Sequence, residues 1–257
     1  MNIFLMCQGQ QRRLAKLDQP KHLLEVGGEA ILKRTTRLLF YFDQFERAHG
    51  RETRLTVVGP RELVSAVGHA SHAAIGAGVL HDRQPGACIV DGILATSRLW
   101  DYEGAGRTLI LLGDVVWSKA GLGKFLADTR PVVFAGQSVL SPSQGEVFAL
   151  GFDNPQAMKN LCSTCPCRVD GNRLRAFKHQ VGGHLRRLLW HYQDLHQLRI
   201  PATRQSWHPS VYLPIDDWTN DIDTPEDVLT LAELGRLAEL EDRGDGTRTD
   251  PQPPMAA

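Results

Sequence analysis

A chain of 257 residues is long enough for one large domain or two small ones, with a sizeable buried core. Hydrophobic residues at 42% and charged residues at 23% are ordinary for a globular protein. A formal net charge of +0 excludes a global field drawing the chain to nucleic acid or an anionic membrane, so any anion site is local.

The apolar run Met1 to Cys7 is too short for a signal-peptide core, and its arginines follow rather than precede it. No stretch approaches the roughly 18 apolar residues of a membrane span. Five cysteines, an odd number in a fairly long chain, argue against a secreted disulfide framework, so a cytoplasmic location is expected.

Strand-like and helix-like segments alternate. Asn2 to Cys7 reads as a first buried strand, and Ala30 to Phe42 has apolar positions spaced for a helix. Arg54 to Gly59 is a second strand, with Pro60 opening a helix to about Ala70. Ala77 to His81 is strand-like and Ala87 to Trp100 helical. Thr108 to Leu112 is the clearest buried strand. A helix over Lys119 to Asp128 and strands at Pro131 to Ala135 and Glu146 to Leu150 follow. After a less regular middle, His184 to Leu198 and Glu226 to Glu241 read as helices. This alternation predicts crossover units, hence a Rossmann-like three-layer α/β/α sandwich on a mixed, mainly parallel sheet. One domain is expected over 1–241. The Gly, Asp, Thr and Pro-rich stretch 242–257 is expected to be a disordered tail.

In open α/β sheets the ligand site lies beyond the carboxyl ends of the strands, where residues 8 to 13 leave the first strand. Gly9 lets the backbone approach a ligand, and free N–H groups of Gln8, Gly9, Gln10, Gln11 and Arg12 can cradle phosphate oxygens. Arg13 can fork onto two phosphate oxygens, and Lys21 supplies a point charge. Neither G-x-G-x-x-G nor G-x-x-x-x-G-K-[ST] is present.

Gly9, Arg13-Leu14, Pro20-Lys21-His22-Leu23-Leu24-Glu25-Val26-Gly27-Gly28 and Ile31 to Arg34 together resemble the N-terminal signature of the sugar nucleotidyltransferases, enzymes of GT-A-like fold that join NTPs to sugar 1-phosphates. Cys7 and Gln8 stand where that family usually has alanines, and Gln11 replaces its second glycine.

Handling an NTP calls for a divalent cation held by one or two carboxylates, with water and phosphate oxygens completing the shell. Thr108 to Leu112 runs into Gly113-Asp114, which places an aspartate at the carboxyl end of a central strand; as a cap for a helix starting near Ser118 it comes several residues too early. Asp221-Ile222-Asp223-Thr224-Pro225-Glu226-Asp227 contains a helix start, yet capping does not require Asp221. In an extended segment Asp221 and Asp223 share a face. This stretch resembles the Asp-Thr-Pro-Glu-Asp element closing many nucleotidyltransferase domains. The resemblance implies Asp114 and Asp223 as ligands of Mg²⁺, or of Mn²⁺ in its place, with Asp221 auxiliary. Gln84-Pro85-Gly86 resembles the loop that contacts base and ribose, which puts Gln84 and Gly86 at the nucleotide.

The resemblance therefore implies an NTP and a small phosphorylated acceptor, most simply a sugar 1-phosphate, giving an NDP-sugar and pyrophosphate without nucleic acid or membrane. Two alternatives stand beside it. A GT-A-type glycosyltransferase would use Asp221-Ile222-Asp223 as its Asp-x-Asp, and Gln8 and Gln11 are compatible with a non-catalytic nucleotide-binding or regulatory relative. Cys162, Cys165 and Cys167, with His179 and His184 downstream, lack paired zinc-knuckle spacing and are expected as thiols in a loop. The region holding Arg186, Arg187 and His196 is expected as a solvated helix face.

Overall fold

The structure is a computed structural model and describes residues 1–7, 19–48, 53–59, 78–80, 89–104, 106–138, 146–165, 184–198 and 207–243. Its strands are β1 (Asn2–Met6), β2 (Glu25–Val26), β3 (Glu29–Ala30), β4 (Arg54–Val58), β5 (Gly78–Leu80), β6 (Thr108–Leu112), β7 (Val115–Val116), β8 (Val132–Gln137), β9 (Val147–Phe152), β10 (Tyr212–Ile215) and β11 (Asn220–Asp221). Among the described residues the helices are α1 (Ile31–Ala48), α2 (Ile89–Thr96), α3 (Lys119–Leu126), α4 (Pro155–Thr164), α5 (His184–Leu195) and α6 (Pro225–Asp242).

A seven-stranded sheet runs in the order β10-β8-β9-β6-β1-β4-β5. Only β9 lies antiparallel to its neighbours β6 and β8; the other pairings are parallel. The unbroken apolar run of β1 after Asn2 suits a strand covered on both faces, with successive side chains alternating between them. Phe4 and Met6 pack on one side with α2, α4 and α5. Ile3, Leu5 and Cys7 pack on the other with α1 and α3. This is the expected three-layer α/β/α arrangement with a mixed, mainly parallel sheet. Outside it stands a smaller assembly: hairpin β2–β3, the antiparallel pair β7–β11 and α6, joined by Leu24, Val26, Ile31, Val116, Ile222, Leu234 and Ala238.

Most expected elements are present within a few residues. The helix after Pro60, the loop at residues 8–13, Gln84 to Gly86 and the tail from 244 lie outside the described residues. Helix α6 continues to Asp242, one residue past the expected boundary, and Asp242 accepts from both Arg34 and Arg37.

Two expectations are corrected. Cys162 lies inside α4 and Cys165 is its C-cap, both with 0% exposure, so neither thiol is in a loop; Cys167 falls outside the described residues. The start signal was Asn154-Pro155: the Asn154 side chain accepts from Ala157 N–H and proline fills the first turn. Nor is α5 a solvated face. Leu185, Leu188, Leu189 and Gln193 are buried, and Arg186 is 1% exposed with its guanidinium 6.0 Å from the Trp207 ring. Strand β10 went unanticipated because it carries Pro214, which a sheet accepts on an edge strand, and β10 is such an edge.

Candidate functional site

The register β1–β6 pairs Met6 with Leu112, so both strands end at the same level. There Cys7 N–H donates to Val58 C=O at 2.7 Å and Gly113 N–H to Met6 C=O at 2.9 Å. Gly113 has no room for a side chain, since a Cβ would fall on the Cys7 thiol. The chain then turns through Asp114 into β7, whose Val115 pairs with Asp221. Ile222 N–H donates to Asp114 C=O at 3.1 Å. Ile222 is fully buried in the cluster with α6, so its neighbours Asp221 and Asp223 flank it on the opposite side of the chain. Backbone pairing thus brings the 223 region alongside Asp114, more than a hundred residues away in sequence.

Lys21 arrives from a third place. Pro20 precedes a single 3₁₀ turn, Lys21–Leu23, closed by Leu23 N–H to Pro20 C=O at 2.8 Å and Leu24 N–H to Lys21 C=O at 3.2 Å. Its ammonium donates to Asp223 Oδ1 at 2.7 Å and forms an ion pair with Asp114 Oδ2. The side chains are 12% exposed for Lys21, 16% for Asp114 and 40% for Asp223, so the triad opens to solvent through Asp223. Burial works against the Lys21 charge. The carboxylates, Asp114 first and Asp223 next, outweigh it and hold the ammonium above its ordinary value.

Asp223 is fixed from behind. Thr224 is the N-cap of α6 and forms a reciprocal capping box with Asp227. Asp227 Oδ2 accepts from Asp223 N–H at 3.0 Å and Thr224 N–H at 2.7 Å. Asp114 is not a cap: Ser118 fills that position for α3, accepting from Gly121 N–H at 2.7 Å.

Asp221 behaves differently from the other two acids. No contact with Lys21 is seen, and burial, then the charges of Glu146, Asp114, Asp223 and Asp227, raise its pKa to about 8. At neutral pH it is mainly a protonated acid. Two further groups, named in the sequence only as positions of the signature, also line the site. His22, 4% exposed, sits against Cys7, Gly113, Asp114 and Lys21; burial pushes its pKa down against the pull of Asp114, so the ring is neutral. Its signal was adjacency to the Pro-Lys pair. The Cys7 thiol is pushed well up by burial and then by Asp114, which keeps it protonated and non-nucleophilic.

Of the expected site residues, the structure brings together Lys21, Asp114 and Asp223. Gln8, Gly9, Gln10, Gln11, Arg12, Arg13, Gln84 and Gly86 lie outside the described residues. Among the described residues no group of three or more His, Cys, Asp or Glu side chains is arranged to hold a metal ion. Asp114 and Asp223 nonetheless offer two hard carboxylate donors converging on one cation, which fits Mg²⁺ completed by water and phosphate oxygens. A cavity of 560 Å³ lies beside β11, lined by Gln137, Trp218, Thr219, Asn220, Thr230 and Leu234; it does not include the triad. No helix of the described residues is long and apolar enough to cross a membrane.

No protein-family model and no curated protein sequence matches the chain. Solved structures do. A protein from Bacillus anthracis assigned as a glucose-1-phosphate thymidylyltransferase, in complex with sucrose, superposes with a TM-score of 0.56 at 14% identity over 92% of this chain and 94% of its own. The inositol-1-phosphate CTP transferase from T. maritima gives 0.54 at 14% identity over 93% and 96%. A nucleoside-diphosphate-sugar pyrophosphorylase from Vibrio cholerae RC9 gives 0.53 at 12% identity over 91% and 100%. At such identities these likenesses establish the fold.

Proposed function

We propose that the protein is a nucleotidyltransferase that joins an NTP to a small phosphorylated acceptor, most simply a sugar 1-phosphate, and releases pyrophosphate. The observation that carries this reading is the convergence of Lys21, Asp114 and Asp223 from three distant stretches onto one point at the carboxyl ends of β1 and β6. Structures of the same fold are named for CTP, thymidylyl and nucleoside-diphosphate-sugar chemistry, which supports the reaction class. The acceptor phosphate oxygen attacks the α-phosphorus in line and pyrophosphate departs, so no protein nucleophile is needed. The protonated Cys7 agrees with that.

Lys21 would serve the same triphosphate as Arg13. Both would stabilise charge moving onto the leaving pyrophosphate. Gln8, Gly9, Gln10, Gln11 and Arg12 would contribute backbone N–H groups to the phosphates, with Gln84 and Gly86 near the base and ribose. Asp114 and Asp223 would hold Mg²⁺, with Asp221 auxiliary to them; the ion's contribution would be neutralisation of phosphate charge. Asp227 keeps Asp223 in place through its two backbone amides.

The test is thermal unfolding with each NTP, with and without Mg²⁺, followed by pyrophosphate release with sugar phosphates. Ligand at about 100 times its Kd stabilises by roughly 2.7 kcal/mol, and the shift disappears in Asp114→Ala and Asp223→Ala. Absence of a shift with every NTP would sink the proposal and turn attention to nucleotide-sugars. A shift without pyrophosphate release under any acceptor would favour the binding-only relative.

A further inference from the structure

In the described structure the point on which Asp114 and Asp223 converge is held by the protein's own cation. The Lys21 ammonium contacts one oxygen of each carboxylate. Its backbone is fixed by the 3₁₀ turn after Pro20, and the two carboxylates are fixed by strand pairing and by Asp227. The four-carbon stem of the lysine is the only long flexible connection in the arrangement. An ammonium and a divalent cation cannot share these oxygens at contact distance, because like charges so close repel strongly in a partly buried site.

We infer that Lys21 acts as an internal counter-cation that closes the carboxylate pair to metal in the free protein and releases it when a nucleoside triphosphate takes up the ammonium. This rests on the reading of Asp114 and Asp223 as the metal carboxylates. It makes nucleotide and metal binding mutually dependent: the triphosphate draws Lys21 away, and the vacated carboxylates become able to accept the divalent cation that accompanies it. By linkage the metal strengthens nucleotide binding by the same factor. A free protein whose two carboxylates share an ammonium also avoids the cost of an acid pair without that counter-charge in a partly buried place.

The experiment titrates Mn²⁺ into the full chain without nucleotide and follows the free ion by electron paramagnetic resonance. Wild type should bind weakly, and Lys21→Met more tightly by about tenfold or more, since one competing charge at contact distance is removed. The double variant Lys21→Met/Asp114→Asn should return to wild-type weakness. Circular dichroism confirms that each variant is folded. If Lys21→Met does not fold, Lys21→Gln replaces it; in addition, the ¹⁵Nζ signal of Lys21 in wild type should be protected from exchange in the free protein and lose that protection when Mg²⁺ and an NTP are added together. Equal or weaker Mn²⁺ binding by the folded Lys21 variant overturns the inference, as does a Lys21 signal unchanged by Mg²⁺ with each of ATP, CTP, GTP, UTP and dTTP.

The same titration repeated with each of those nucleotides separates this inference from the proposed function. Nucleotide-enhanced Mn²⁺ binding in wild type, without a gain in Lys21→Met alone, leaves the transferase reading standing and removes the counter-cation role. Tighter Mn²⁺ binding in Lys21→Met, without any nucleotide effect in wild type, leaves Lys21 as a competitor for the carboxylate pair but removes both its release by nucleotide and the transferase reading.

Discussion

Gly235→Ala probes the seam on which the whole site depends. Helix α6 crosses the β2–β3 hairpin where two glycines meet: a Cβ on Gly235 would stand 2.5 Å from Gly27 N and 3.0 Å from Gly27 Cα. Both are backbone atoms, in a turn where Gly27 and Gly28 take φ of 60° and 74°, so neither can rotate aside. The elements must separate by about 0.5–1 Å, a gap that forfeits about a quarter to a half of each dispersion contact across it. The contacts at risk are those of Leu24, Val26, Ile31, Val116, Ile222, Leu234 and Ala238.

Overpacking of this kind costs about 1–3 kcal/mol, and more where backbone resists. Alanine in place of helical glycine returns about 1 kcal/mol. With the clash at the upper end, the net loss is about 2 kcal/mol, or about 4–8 °C in Tm for a chain of this size. The assay is thermal unfolding followed by circular dichroism. Gly28→Ala serves as the control, because a Cβ there meets nothing within 4 Å and only the left-handed backbone cost of about 1–2 kcal/mol applies. Since Asp223 leads directly into α6 and Lys21 into β2, Gly235→Ala should also weaken the NTP- and Mg²⁺-dependent rise in Tm. A Gly235→Ala protein that unfolds at or above the wild-type temperature would refute the back-to-back packing of α6 on the hairpin.

Two further outcomes are expected. Asp221 is raised to about 8 in the fold, so folding takes up a proton between that value and the roughly pH 4 at which an unfolded aspartate ionises. Its contribution to stability is therefore full below about pH 4 and declines as pH rises through 8. Asp221→Asn, which keeps the neutral shape, should gain on wild type between pH 5 and pH 9 in urea unfolding, on the order of the linkage just described; a pH-independent difference would contradict the shift. Glu241→Ala should lower stability by about 2–3 kcal/mol, because Glu241 accepts from the buried Arg34 at 3.1 Å and from Lys119 and Ala120 N–H at the start of α3. A chemical-denaturation midpoint unchanged in Glu241→Ala would show that the α6 end is not anchored there.

Much of this was readable in the chain. Uninterrupted aliphatic runs such as Thr108 to Leu112 give buried central strands, and Thr224-Pro225 followed by Asp227 spells a helix start through local hydrogen bonding. What the sequence hid were elements defined by partners rather than by their own pattern. Strands β7 and β11 are two residues each and exist because they face one another, and β10 tolerates Pro214 because among the described residues no strand pairs beyond it. Helix α4 was missed because its apolar positions, Met158, Leu161 and Cys162, are few and set among polar residues. Arg186 misled because an arginine on a histidine-rich stretch reads as surface; its burial becomes visible only when α5 is laid against Trp207 and Tyr212.

The candidate site was legible as residues but not as a state. The family resemblance implied Lys21 for the triphosphate and Asp114 and Asp223 for its metal, yet a sequence pattern carries no information on what such charges do before the ligand comes. The tertiary fold decides that. Because β7 binds β11 and α6 binds β2, the three groups are held within reach of each other regardless of ligand, and opposite charges left together in a partly buried place must pair. The small outer assembly therefore does more than cover the core. It sets the affinity of the carboxylates for any other cation, so a substitution such as Gly235→Ala, which enlarges the seam without removing a charge, should loosen the Lys21–Asp223 contact ahead of the Lys21–Asp114 one. Only Asp223 is carried by α6, whereas Asp114 stays with the central sheet.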